Sequence, residues 1–329
     1  MKLIIQPDDG LAPILKAIKR GKKSISLVIF RFDRNELEKA LGAAVARGLV
    51  VRALIAHTNQ GGARRLRKLE QRLLEAGVTV TRTADDLPRY HGKMTIVDDR
   101  LYVLGFNYTR QDIEQSRSFG LITRDVGLVR EATALFEADS LRQTYAPGHD
   151  RLVVSPETSR GSLAKFLEGA KRELLIYDER MTDKLMMRLI RDRVAAGVDI
   201  RVIGKTGKGL DAVLSRKLPD MRLHARAIIR DGTRAFIGSQ SLRKLELDAR
   251  REIGVIINDV RIARKMRAVF EADWAEATPH KKAEKKERRK ATKAVRAVVR
   301  SAEVRGAAAA RRGGRSRRSR RSGRSGKSR

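Results

Sequence analysis

Residues 91–105 read HGKMTIVDDRLYVLG, and residues 224–238 read HARAIIRDGTRAFIG. Both stretches begin with a histidine that is followed, at the same spacing, by a cation, an aspartate and a glycine. The first set is His91, Lys93, Asp98 and Gly105, and the second is His224, Arg226, Asp231 and Gly238. Because the chain contains just five histidines, two occurrences of this pattern indicate an internal duplication rather than chance.

The duplication extends on both sides of these stretches. Residues 22–55 resemble residues 171–204, and each segment reads as a buried strand, an amphipathic helix and a second apolar strand. The heptapeptide ALFEADS at 134–140 is echoed by AVFEADW at 268–274. These βα units predict an α/β protein of two α/β/α sandwich halves related by a pseudo-twofold axis. We assign residues 1–150 to the first half, 151–278 to the second, and 279–329 to a tail.

Each histidine motif reads as a β-strand. Because side chains alternate along a strand, the histidine and the cation two residues later point to the same face. The aspartate of each motif is an odd number of residues from the histidine and therefore faces away from it. We predict that Asp98 and Asp231 are structural supports that hold the strand end or pair with a cation.

The charge of the chain is strongly positive. The formal net charge is +34, and residues 279–329 contain 21 of the 73 Lys and Arg residues but just three acidic ones. Such a field attracts nucleic acid, anionic membranes or phosphorylated substrates. We expect the tail to be disordered and to bind anionic phospholipid, with nucleic acid as an alternative partner. Its simplest alternative role is to provide solubility or weak, nonspecific RNA binding.

The remaining composition bounds the protein class. The hydrophobic fraction of 41% is enough for a core, and cysteine is absent, which excludes disulfides and thiolate metal sites. No apolar run approaches the roughly 18 residues of a membrane-spanning helix, and the first residues do not resemble a secretory signal. We therefore expect a cytoplasmic protein that associates peripherally with a membrane or the nucleoid.

The paired motifs fit the chemistry of phosphodiester cleavage. That reaction needs an in-line nucleophile, an acid for the leaving oxygen, and positive charge on the phosphoryl oxygens. If the halves pack about a twofold axis, His91 and His224 can flank one phosphate while Lys93 and Arg226 bind its oxygens. No His, Asp or Glu cluster has convincing metal-ligand spacing, so we predict neither a metal nor another cofactor.

The two motifs, with GFN at 105–107 and GSQ at 238–240, make the chain resemble the phospholipase D superfamily over about residues 20–275. The resemblance implies two α/β/α halves with mixed sheets and one active site between them, so that no oligomer is required. It implies that His91 is the nucleophile of a phosphohistidine mechanism and His224 the general acid. It also implies phosphate contacts from Asn107, Ser239 and Gln240.

Three departures from the family pattern bear on activity. Arg226 stands where the family usually has lysine, and Gln240 stands where an asparagine is expected. The family also often places a carboxylate after the motif to orient the histidine. Glu252 fits that role for His224, or else forms a structural salt bridge with Arg250 or Arg251. The aligned residue of the first half is Ser118, so His91 is left with Asp112, Glu114 or no carboxylate of its own half.

Three functions follow from this reading. The first is a phospholipase D-type enzyme that hydrolyses phospholipid head groups or transfers them to another alcohol. The second is a metal-independent nuclease on the same site, although an aromatic content of 4% leaves little for base stacking. The third is a polyanion-binding protein whose site has degenerated.

The predicted role of the tail can be tested by ending the chain at Thr278. Turnover of a small soluble phosphodiester should stay unchanged, whereas binding to anionic vesicles or DNA should weaken and depend less steeply on salt, because fewer phosphates are neutralised. Turnover of bis(p-nitrophenyl) phosphate and co-sedimentation with vesicles measure the two effects. Loss of turnover on the small substrate would contradict an accessory tail.

Overall fold

The strands of the sequence form two mixed β-sheets, one from each half of the chain. The computed structural model describes residues 1–57, 63–207, 209–210 and 213–279, so the predicted tail beyond residue 279 lies outside the described residues. Residues 1–278 form one compact unit.

The elements of the first half are β1 (Lys2–Gln6), α1 (Ala12–Arg20), β2 (Ser24–Ile29), α2 (Asn35–Ala46), β3 (Val50–Ile55), α3 (Ala63–Glu75), β4 (Thr79–Arg82), β5 (Met94–Val97), β6 (Arg100–Leu104), α4 (Arg110–Glu114), β7 (Ser116–Thr123) and α5 (Val126–Ser140). Those of the second half are β8 (Leu152–Ser155), α6 (Ser159–Glu168), β9 (Glu173–Asp178), α7 (Lys184–Ala195), β10 (Asp199–Gly204), β11 (Leu214–Lys217), β12 (Arg222–Leu223), β13 (Arg226–Arg230), β14 (Arg234–Gly238), α8 (Lys244–Asp248), β15 (Glu252–Ile257), α9 (Val260–Glu276) and β16 (Thr278–Pro279).

The two sheets have the same topology. The first has the strand order β1-β7-β6-β5-β2-β3-β4, and the second has the corresponding order β8-β15-β14-β13-β9-β10-β11, with β16 added beside β11. In each, a parallel βαβ unit (β2–β3 and β9–β10) adjoins antiparallel strands that carry the histidine motif. The prediction of two α/β halves with mixed sheets is confirmed.

The strands are apolar on both faces because helices and the other half cover them. Along β1, Leu3 and Ile5 face a central core that contains residues of both halves, whereas Ile4 faces an outer core of the first half. The central core also contains the buried faces of α5 and α9, and a third core lies under α6 and α7. Because successive side chains of a strand face two different apolar cores, the strands read as continuous hydrophobic runs.

Backbone hydrogen bonds join the halves at both histidine motifs. The N–H of His91 donates to the carbonyl of Arg251 over 2.7 Å, and the N–H of His224 donates to the carbonyl of Arg117 over 3.1 Å. Strand β12 extends this contact by pairing in parallel with β7 of the other half. The start of each motif is therefore fixed by the strand that follows the motif in the opposite half.

The repeated FEAD sequence supplies a pair of buried ion pairs at the same junction. The Asp273 carboxylate accepts hydrogen bonds from Arg117 Nε at 2.8 Å and Nη2 at 3.0 Å, and from the Tyr177 hydroxyl at 2.7 Å. In the pseudo-symmetric position, Asp139 accepts from Arg251 Nη2 at 3.0 Å and from the Tyr90 hydroxyl at 2.7 Å. The two arginines whose carbonyls hold the histidines are thus anchored to the opposite half.

None of the described helices is both long enough and apolar enough to cross a membrane.

The buried ion pairs lead to a prediction about stability. Arg117→Met leaves the Asp273 carboxylate buried without its cation, which should lower the free energy of unfolding by about 3–5 kcal/mol. The double variant Arg117→Met/Asp273→Asn should recover part of this loss. Urea unfolding followed by circular dichroism measures both.

The matched control is Arg124→Gln, which removes an exposed pair with Asp99 at 3.5 Å and should change the free energy of unfolding by less than about 1 kcal/mol. Equal losses in Arg117→Met and Arg124→Gln would show that the buried pair does not hold the halves together.

Candidate active site

The four motif side chains meet where the two halves join. His91 and Lys93 directly precede β5, while His224 precedes β13 and Arg226 begins it. Each cation folds back on the histidine of its own motif: Lys93 Nζ donates to the His91 carbonyl at 2.5 Å, and Arg226 Nη1 donates to the His224 carbonyl at 2.7 Å. The two motifs thus have the same local geometry. Their side chains form one cluster, because the charge of Arg226 acts on His91 and that of Lys93 acts on His224.

The motif aspartates lie at the far ends of the motif strands. Asp98 accepts hydrogen bonds from the backbone N–H groups of residues 22–24, and Asp231 does the same for residues 171–173. Both aspartates have positive φ in the turn after the strand. They attach the motif hairpins to the starts of β2 and β9 and do not contact the histidines.

Glu252 supports a different histidine from the predicted one. Its Oε2 lies 2.8 Å from His91 Nδ1, and its side chain is completely buried. The prediction that Glu252 orients His224 is wrong, and so is the alternative of a salt bridge to Arg250 or Arg251. The reason is that the carbonyl of Arg251 accepts a hydrogen bond from the His91 backbone. Glu252, the next residue and the first of β15, therefore lies beside the His91 ring of the other half.

His224 receives its carboxylate from the first half. Its Nδ1 lies 3.3 Å from Asp112 Oδ2, although the two atoms are not aligned for a hydrogen bond. Asp112 Oδ1 also accepts from Arg222 at 2.7 Å. The expectation that Asp112 or Glu114 serves His91 is wrong, since Asp112 faces His224 and Glu114 pairs with Arg34.

The two histidine environments are not equivalent. Ser118 on β7 pairs with Gln6 of the edge strand β1, and Glu252 on β15 pairs with Ser155 of the edge strand β8. Ser118 and Glu252 therefore occupy corresponding positions in the two sheets. Serine is too short to replace the glutamate, and Asp112 from α4 supplies the carboxylate near His224 instead. The sequence alignment of Ser118 with Glu252 was right, but it did not reveal that Glu252 serves the histidine of the opposite half.

One extra residue in the second motif hairpin changes the assignment of the phosphate-binding residues. Two residues separate β5 from β6, whereas three separate β13 from β14. Consequently Ser239, not Gly238, takes the place of Gly105, since the N–H groups of Ser239 and Gly105 bond the carbonyls of corresponding residues on β15 and β7. By the same shift, Ser241 takes the place of Asn107.

Hydrogen bonds confirm this shift in register. The N–H of Asn107 donates to Asp112, five residues on, and the N–H of Ser241 donates to Glu246, also five residues on. Ser241 Oγ accepts from Arg226 Nε at 3.3 Å and was missed by the sequence analysis. The signal in the sequence was the five-residue spacing from a small polar residue to a carboxylate, which Asn107 and Asp112 share with Ser241 and Glu246.

Gln240 is turned away from the histidines. Its Nε2 donates to the Val153 carbonyl at 2.9 Å and to Ser159 Oγ at 3.1 Å, under α6. The prediction that Gln240 contacts phosphate is therefore wrong. Ser239 Oγ bonds the backbone of Ile253, the residue after Glu252.

Asn107 lies within the cluster. Its Nδ2 donates to Asp112 at 2.6 Å, while its Oδ1 has no hydrogen-bond partner. Ser118 Oγ and Glu252 Oε1 are also buried without partners. Because buried polar atoms are nearly always paired, these atoms are candidate contacts for a polar ligand.

Burial and mutual charge shift the ionisation of the cluster. Burial, followed by the charges of Lys93 and Arg226, lowers the pKa of His91 well below its usual value. Burial, followed by Arg226, does the same for the pKa of His224. Burial also lowers the pKa of Lys93 to about 7 and raises that of Glu252 to about 7. Both imidazoles are therefore neutral near neutral pH, as a nitrogen nucleophile must be.

The walls beside the two cations differ in chemistry. Phe30, directly after β2, packs edge-on against the His91 ring with a centroid distance of 4.8 Å, and Lys93 Nζ lies 5.5 Å from the centre of its ring. The corresponding residue after β9 is Glu179, whose Oε2 lies 3.2 Å from Arg226 Nη2. One side of the site is thus aromatic and the other carries a carboxylate.

Among the described residues, no group of three or more His, Asp or Glu side chains is arranged to hold a metal ion.

Comparison with known proteins places this arrangement in a family. The family model described as "Cardiolipin synthase, PLD-like domain" matches residues 14–140 and 163–274, so it includes all four motif side chains. Human (Homo sapiens) mitochondrial cardiolipin hydrolase is 30% identical over 183 residues, which are 52% of this chain and 65% of that protein. The mouse (Mus musculus) protein of the same name is 30% identical over 135 residues, covering 40% of this chain and 58% of that protein. The chain thus spans less than two thirds of these relatives.

Solved structures share the fold at low sequence identity. Polyphosphate kinase from Porphyromonas gingivalis superposes with a TM-score of 0.68 and 18% identity, over 82% of this chain and 46% of that chain. Phosphatidylserine synthase from Haemophilus influenzae superposes with a TM-score of 0.63 and 11% identity, over 85% of this chain and 87% of that chain. These structures show the shared fold. The family model, which matches more than half of the sequence, shows that the chain belongs to the phospholipase D superfamily.

Proposed function

We propose that this protein is a phospholipase D-type phosphodiesterase or phosphatidyltransferase that acts on phospholipid head groups through a phosphohistidine intermediate. The observation that carries the proposal is the crossed arrangement of two imidazoles, each facing a carboxylate of the opposite half. Lys93 and Arg226 lie beside them to neutralise a phosphate.

In the first step, His91 acts as the nucleophile. Glu252 accepts the hydrogen bond of Nδ1–H, which leaves the lone pair on Nε2 free to attack phosphorus. The bond from phosphorus to the leaving alcohol oxygen breaks as the P–N bond forms. His224 must carry a proton at this stage to protonate that oxygen, and the bound phosphate and Asp112 favour its protonated form.

In the second step, His224 becomes the base. It takes the proton of a water or of a second alcohol, whose oxygen attacks phosphorus and breaks the bond to His91 Nε2. Throughout both steps, Lys93 and Arg226 bind the charged phosphoryl oxygens, and this stabilises the transition state more than the ground state. Asn107 and Ser241, in corresponding positions, complete the phosphate-binding set.

A phospholipid substrate is favoured by the similarity to cardiolipin hydrolases. The formal net charge of +34 also fits a peripheral enzyme that meets an anionic bilayer from the cytoplasmic side. The same charge favours the second candidate, a metal-independent nuclease. Against the third, a degenerate binding protein, stand the retained positive charge of Arg226 and the carboxylate that Asp112 supplies near His224.

The proposal is tested by offering the full chain phosphatidylglycerol or phosphatidylcholine vesicles, bis(p-nitrophenyl) phosphate, and single-stranded DNA, all with EDTA present. We expect release of the head-group alcohol, and loss of at least about 10³-fold of this activity in His91→Ala, because the nucleophile is removed. Enzyme quenched in alkaline denaturant, in which a P–N bond survives, should carry a phosphoramidate on His91 that builds up in His224→Ala with a substrate whose leaving group needs no acid.

His149→Ala is the matched control, since this histidine lies outside the cluster, near the Asp125–Arg151 turn. Cleavage of DNA without lipid turnover would favour the nuclease. Tight polyanion binding without turnover of any substrate would overturn the enzymatic proposal.

The site also predicts a pH dependence. Below about pH 7, Glu252 takes up a proton and no longer accepts from His91, and above about pH 7, Lys93 loses the charge that binds phosphate. The value of kcat/KM for bis(p-nitrophenyl) phosphate should therefore have a maximum near neutral pH and fall on both sides. In Lys93→Arg the alkaline limb should move up by more than one pH unit, since a guanidinium stays charged. An unmoved alkaline limb would remove Lys93 from that role.

A further inference from the structure

Glu179 is an exposed carboxylate beside the phosphate-binding cluster, and the mechanism above does not use it. Its side chain is 57% exposed, and within the described part of the chain its partner is Arg226 Nη2 at 3.2 Å. The other nitrogens of that guanidinium bond His224 and Ser241. A carboxylate at this position weakens the attraction of Arg226 for phosphate, so it is not explained by phosphate binding alone.

The position of Glu179 relative to the reaction is defined by Arg226. Arg226 lies two residues after His224 and bonds its carbonyl, and His224 is the residue that protonates the leaving alcohol in the mechanism above. Glu179 therefore lies on the side of the site that the head group occupies. The corresponding residue of the first half, Phe30, packs on His91 and carries no charge.

The reach of Glu179 fits an amino alcohol. A phosphate oxygen that binds Arg226 Nη2 at about 3 Å lies within roughly 6 Å of Glu179 Oε2, which is 3.2 Å from the same nitrogen. The ammonium nitrogen of an ethanolamine ester is two carbons beyond the ester oxygen, a span of roughly 4 Å by ordinary bond lengths. The ammonium of such a head group can therefore contact the carboxylate while its phosphate is bound.

We propose that Glu179 selects head groups or acceptor alcohols that carry an ammonium group and disfavours polyanions. This inference rests on the proposed function, since it assigns the substrate side of the same site. A charge-assisted hydrogen bond from the ammonium restores a partner to Glu179 when Arg226 turns to phosphate. In a nucleic acid, a neighbouring phosphate on this side would meet the carboxylate and be repelled.

Binding is measured first, so that the test does not depend on turnover. Full-length His91→Ala protein is titrated with O-phosphoethanolamine and with glycerol 3-phosphate, with and without Glu179→Gln. We expect the ratio of the two affinities to shift roughly tenfold against phosphoethanolamine when the carboxylate is removed. The control is Glu137→Gln, which removes an exposed carboxylate of α5 that pairs with Arg52 of β3. It should leave the ratio of the two affinities unchanged.

Turnover is measured next with dihexanoyl phosphatidylethanolamine and dihexanoyl phosphatidylglycerol as dissolved monomers, so that surface charge of vesicles plays no part. The ratio of their kcat/KM values should fall roughly tenfold in Glu179→Gln and further in Glu179→Lys, whereas Glu179→Lys should bind a thymidine dinucleotide more tightly. Absence of turnover in the wild-type chain, with the binding ratio shifted as expected, would count against the proposed function alone. An unshifted binding ratio in Glu179→Gln would overturn the inference whether or not the protein is an enzyme.

Discussion

Two backbone hydrogen bonds, from His91 to the Arg251 carbonyl and from His224 to the Arg117 carbonyl, are the constraint on which the site depends. They attach the start of each motif to the strand that follows the motif in the opposite half. The side chains of the same two arginines reach back to Asp139 and Asp273, in the repeated FEAD sequence. The contacts that pack the two halves together therefore also position the imidazoles, and the backbone of each histidine is bound by the opposite half.

This constraint also determines the electrostatics of the cluster. Because the junction is covered by both sheets, the histidines, Lys93 and Glu252 are buried together, and burial is the largest cause of every pKa shift among them. A buried lysine and a buried glutamate that both titrate near neutrality are costly to the folded state in isolation. Lys93 is a group that a phosphodiester would pair with, and Glu252 faces the His91 ring, so this cost of burial is consistent with a substrate site.

Much of the fold could be predicted from the sequence, because hydrophobic periodicity and a long internal repeat fixed the order of elements in each half. The identity of the cluster was also accessible, since His91, Lys93, His224 and Arg226 share a spacing. The partners of the histidines were not. Glu252 and Asp112 were both recognised but assigned to the wrong histidine, because a linear pattern does not show that each carboxylate lies against the motif of the opposite half. Gln240 was misassigned because one additional turn residue shifts the register by one position, which reverses the face of every side chain beyond it.

The asymmetry of the walls has a consequence for how such a chain can diversify. In a dimer of identical copies, the side chain that follows the first strand of the parallel unit is the same on both sides of the phosphate. A favourable change on one side is therefore imposed on the other. Joining the copies in one polypeptide releases that restriction. Phe30 and Glu179 occupy corresponding positions but differ in chemistry. The two alcohol groups of a phosphodiester also differ, and each can contact a side chain suited to it.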